Sequence, residues 1–162
     1  MKTGASIFSR CLMGVCPKRV GYYMMVADGD TGVNILHTAA WIAAAGLIGL
    51  ACFQVSLACG APLGRLAWRG AYKKLPTGLR AASLASAAIC ALGAMCVLER
   101  AGVIAMCDRP GAVCVFVWVL TVLFGLSTIG NLTSKSVWER RVMTPIAATL
   151  VLMCLIVSIA AG

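Results

Sequence analysis

The chain has 162 residues, 61% of them hydrophobic and 12% charged, with a mean hydropathy of +0.95. A soluble domain of this size carries about 45–50% apolar and about 25% charged residues, enough to form a core and still cover it, so this composition excludes a water-soluble globule and leaves one membrane unit. The net charge of +9 would raise nucleic acid in a soluble protein. Beside apolar spans it reads instead as basic residues gathered in loops that meet anionic head groups. The expected partner is the phospholipid bilayer, with its anionic lipids, and no nucleic acid.

Residues 1–32 read as a flexible or surface-lying tail with Lys2, Arg10, Lys18 and Arg19, ending in the polar run 27–32. Arg10 interrupts the only apolar stretch that could serve as a signal peptide. Met24 and Met25 stand just before the membrane unit and offer an alternative start of translation. Cys11 and Cys16 have no histidine nearby, and the chain contains no C-x-x-C, so neither a metal site nor a cofactor is expected. Cys52, Cys59, Cys90, Cys96, Cys114 and Cys154 fall in or at the ends of apolar runs, where cysteine serves as a small packing residue.

The bundle itself is read as residues 33–162. A first span covers 33–57, longer than the roughly 20 residues that cross the hydrocarbon core. His37 and Trp41 share one helix face near its start, and Gln54 sits near its far end. The connection 60–80 then carries Arg65, Arg69, Lys73, Lys74 and Arg80 and no acidic residue. The i, i+4 spacing of Arg65, Arg69 and Lys73 predicts a short basic amphipathic helix on the membrane surface, anchored by Trp68 and Tyr72. Further spans are expected at 79–101, 112–131 and 142–161, the last with Pro145 in its first turn. The fold class that follows is all-α, a four-helix transmembrane bundle.

Four spans put both termini on one side and the loops 60–80 and 132–141 on the other. Those two loops hold the larger share of Lys and Arg, which favours their lying in the cytoplasm with the termini outside. They also bring together Gln54, Arg65, Trp68, Arg69, Lys73, Arg80, Asn131, Ser134, Trp138, Glu139 and Arg140. Such a mixture suits a head group or phosphate; as a plain alternative it is a topology signal with an aromatic belt. His37 and Glu99 meet at the other end as candidates for proton transfer, because ionisable groups inside membranes are often functional.

Short motifs add a resemblance: G-A-P-x-G at 60–64, W-x-G at 68–70, L-P-x-x-L-R-x-x-S at 75–83, R-A-G at 100–102, and N-L-x-S, W-E-R and T-P between 131 and 145. Over residues 35–160 the chain resembles a group of small, uncharacterised four-span bacterial integral membrane proteins. Arg69 stands where that group has glycine. The resemblance implies a bundle in the bacterial inner membrane and brings no mechanism. The function expected from the residues is non-enzymatic: lipid binding, or interaction with another membrane protein, through the 60–80 loop. The alternatives are a small-solute transporter or channel working as a homo-oligomer, and a membrane enzyme using His37 and Glu99.

Overall fold

In lipid, a long apolar run satisfies its backbone only by forming a helix. The computed structural model, which describes residues 30–67, 71–72, 74–106 and 110–161, shows this outcome. Its elements are α1 (Asp30–Ala58), a 3₁₀ turn (Gly64–Leu66), α2 (Thr77–Arg100), α3 (Pro110–Leu132), a π-turn (Glu139–Met143) and α4 (Thr144–Ala160). The segments long and apolar enough to cross a membrane are Asn34–Ala58, Thr77–Arg100, Pro110–Leu132 and Glu139–Ala160. The expected all-α four-helix bundle is the fold, and the chain is a multi-pass membrane protein.

Two helices end on glycines in the left-handed region, Gly60 at φ 88° and Gly102 at φ 76°. After α1, the Gly60 N–H donates to the Leu57 carbonyl and the Ala61 N–H to the Ser56 carbonyl. After α2, Gly102 and Val103 donate to Glu99 and Leu98 in the same pattern. Both are Schellman caps, which satisfy carbonyls that lipid would leave bare.

Each helix packs on its neighbours in chain order and α4 closes back on α1, an up-and-down bundle. Ala39, Ala40, Ala43, Ala44 and Leu47 of α1 are buried against Ala94 and Val97 of α2, Val117 and Leu120 of α3, and Leu150 and Cys154 of α4. Small residues set the spacing. A Cβ on Gly46 would lie 2.9 Å from Leu150 Cδ2, and one on Gly93 would lie 2.7 Å from Leu120 Cδ1. Between helices in lipid, such close approach supplies the packing that water-driven burial supplies elsewhere.

Several expectations are corrected. Helix α1 starts at Asp30, three residues ahead of the expected start of the first span; residues 1–29, including Met24 and Met25, lie outside the described residues. Helix α4 is preceded without a gap by the π-turn, so the fourth span begins at Glu139 and not near 142. Cys114 is disulfide-bonded and not a simple packing residue, its partner lying outside the described residues.

Of the basic connection, residues 68–70 and 73, where the expected surface helix falls, lie outside the described residues, and the described helical piece is the 3₁₀ turn Gly64–Leu66. After the 3₁₀ turn the chain straightens at Ala67, with φ −138° and ψ 169°, and Ala71 and Tyr72 are irregular. The reason lies in what the loop buries. Ala67 and Leu75 pack with Leu57, Phe53 and Leu79 into a small core of their own. The returning strand of the loop passes so close that a Cβ on Gly64 would lie 2.5 Å from the Tyr72 carbonyl oxygen. The loop is therefore a folded plug at the end of the bundle.

Candidate functional site

That plug and the start of α4 border a half-open cavity of about 170 Å³ at the loop end, roomy enough for several waters or a small polar group. Leu50, Phe53 and Gln54 come from α1, Leu66 and Ala67 from the plug, and Phe124, Ser127 and Asn131 from α3. Glu139, Met143, Ile146 and Ala147 come from the fourth span. The lining mixes apolar and aromatic side chains with the Gln54 and Asn131 amides, the Ser127 hydroxyl and the Glu139 carboxylate.

The fourth span presents its side chains here because of how it starts. Ser136 Oγ accepts the Glu139 N–H at 3.4 Å, one half of the capping box that the sequence S-x-x-E announces. The Ser134 hydroxyl donates to Glu139 Oε2 and itself accepts the Ser136 N–H at 3.2 Å. Pro145 follows with no N–H to give, and its ring crowds the carbonyl four residues back. The chain responds with a wider turn, in which the Thr144 N–H donates to the Glu139 carbonyl five residues back. Cap, hydroxyl and π-turn together fix Glu139, which is 7% exposed, in the cavity wall.

Gln54 Oε1 is buried and has no hydrogen-bond partner. An unmet buried carbonyl of this kind costs roughly 1–3 kcal/mol, so it marks a place where a ligand or water donor is favoured.

Of the residues named from the sequence, Gln54, Asn131 and Glu139 meet in this one cavity. Arg80 is structural, because its Nε donates to the Ala58 carbonyl at 2.6 Å and ties the start of α2 to the end of α1. Trp138 is 63% exposed and Arg140 is exposed, and neither lines the cavity. Trp68, Arg69, Lys73 and the side chain of Arg65 lie outside the described residues. Half-buried His37 and buried Glu99 sit at the opposite end of the bundle. Sequence reasoning passed over Ser127, Met143, Phe53 and Phe124; the S-x-x-E capping signal ahead of a Thr-Pro was the clue to this wall.

No family model matches the chain, and no curated protein or solved structure does either. What the site can do follows from its own chemistry. It offers amide, hydroxyl and carboxylate groups beside apolar side chains, near the loop-side ends of the spans.

Proposed function

We propose that the protein is a non-enzymatic lipid-binding membrane protein that holds the polar part of one lipid in the loop-end cavity. The buried, unpartnered Gln54 carbonyl carries the reading, since a lipid's donor would satisfy it. The 60–80 loop takes part through Leu66 and Ala67, which wall the cavity. Exposed Lys74, Lys135, Arg140 and Arg141 surround the same end and suit the phosphates of nearby anionic lipids. His37 and Glu99 take no part, so His37→Ala is expected to leave lipid retention unchanged.

Native mass spectrometry from a mild, lipid-retaining detergent tests this. The wild-type protein is expected to carry one lipid per chain, and Ser127→Trp, which fills the cavity mouth, is expected to lose it. Equal lipid retention by the two would overturn the proposal. The same spectra address a second reading, a homo-oligomer or a complex with another membrane protein. Gly49 and Gly130 support it: both are exposed, and a Cβ on either would meet nothing within 4 Å, leaving room for another helix to approach closely.

Two independent features support an orientation with the loops in the cytoplasm and the termini outside. One is the excess of basic residues in the loops. The other is the disulfide at Cys114, near the start of α3 at the opposite end, because disulfides persist in oxidising compartments. The resemblance noted above supports the bacterial inner membrane as the location.

A further inference from the structure

From the kinds of polar group in the cavity we infer which class of lipid it takes: one whose head group carries free hydroxyls, a glycerol or a sugar. This rests on the lipid-binding reading and sharpens it.

Gln54 reaches the cavity from α1. Ser127 and Asn131, one turn apart on a single face, reach it from α3, the helix diagonally across the bundle. An amide and a hydroxyl each combine a donor with an acceptor, so these three side chains can give and take hydrogen bonds side by side. Head-group chemistries differ on this point. A phosphodiester only accepts, a primary ammonium only donates, and a hydroxyl does both.

Gln54 decides among them. Its Oε1 is buried and has no partner, so in this orientation it needs a donor, which a phosphodiester lacks. Turned end for end, the amide puts Nε2 in that place and needs an acceptor, which an ammonium lacks. A hydroxyl meets both orientations. Because it is uncharged, the match holds whatever Glu139 engages beyond Ser134.

Size and surface agree. A cavity of about 170 Å³ is several times what one water requires and admits a glycerol or one sugar ring. Phe53 and Phe124 offer aromatic surface to the C–H bonds of such a polyol, while its hydroxyls turn to the amides.

The test is competition in nanodiscs made from equal parts of four lipids with identical acyl chains, chosen as two charge-matched pairs. Phosphatidylglycerol is set against phosphatidylmethanol, which has the same charge and no hydroxyl. Glucosyl-diacylglycerol is set against phosphatidylcholine, also neutral overall and without a hydroxyl. Lipid co-released with the protein is read by native mass spectrometry. The hydroxyl-bearing member is expected to be enriched by about tenfold in at least one pair, the effect of one or two neutral hydrogen bonds. The pair that shows it tells a glycerol head from a sugar. Gln54→Met, and separately Asn131→Leu on the facing helix, are each expected to bring that ratio close to one while lipid is still retained. A wild-type ratio near one in both pairs, or a preference that survives either substitution in a folded bundle, would overturn this inference and leave the lipid-binding reading standing. A wild-type protein that releases no lipid would overturn both.

Discussion

Single residues decide how the ends of this bundle close. Gly60 and Gly102 hold left-handed conformations, which cost a side-chain-bearing residue roughly 1–2 kcal/mol. Gly60→Ala and Gly102→Ala are each expected to lower stability by about that amount in thermal melts in detergent, without loss of helix by circular dichroism. Gly64 is different, since its φ is not positive and the obstacle is the Tyr72 carbonyl at 2.5 Å and Leu75 Cδ1 at 2.8 Å. Gly64→Ala is expected to loosen the plug alone, seen as faster tryptic cleavage at exposed Lys74 with an unchanged bundle; protection equal to wild type would contradict the close packing. At this scale the sequence was partly legible. Gln54, Asn131 and Glu139 stood out because polar residues at span ends are few and topology brings them together. The spacing of Arg65, Arg69 and Lys73 gave no sign of the small core that Ala67 and Leu75 join, because periodicity on the polar side says nothing about which apolar residues are buried. Ser127, one hydroxyl within an apolar span, gave no signal of which way it faced.

Among the elements, the helices were legible and their joints were not. Composition and length fix four spans in lipid, since no other structure satisfies the backbone there. The π-turn depends on the meeting of the Ser136 cap with Pro145, a local conflict that hydropathy does not register. Pro145→Ala removes the cause of the wide turn. It is expected to let the segment continue as regular α-helix and rotate Glu139 out of the wall. Lipid retention should fall several-fold while melting temperature holds or rises; unchanged retention would mean that the turn does not position Glu139. Helix α1 supplies a second test. Ala43 is 0% exposed while Ala45 is exposed, so Ala43→Leu overpacks the interface at about 1–3 kcal/mol and Ala45→Leu does not. Equal melting temperatures for the two variants would contradict the packing of α1.

At the scale of the whole molecule, the bundle has two unlike ends. One holds the plug, the cavity and exposed basic side chains; the other holds His37, Glu99 and the Cys114 disulfide. The proposed orientation has a direct check in Cys59, a free, exposed thiol at the loop end. A membrane-impermeant maleimide, with labelled sites read by peptide mass spectrometry, is expected to reach Cys59 only after the membrane is opened. Labelling of Cys59 in intact cells would place the loops outside. The central claim, that a lipid sits in the loop-end cavity, is tested most directly by photo-crosslinking with a phospholipid carrying a diazirine close to its glycerol. The account predicts adducts concentrated on the peptides holding Phe124, Ser127 and Met143, and their loss in Ser127→Trp. Adducts spread instead over the exposed outer faces at Trp41, Ile48 and Leu152, unaffected by that substitution, would contradict it.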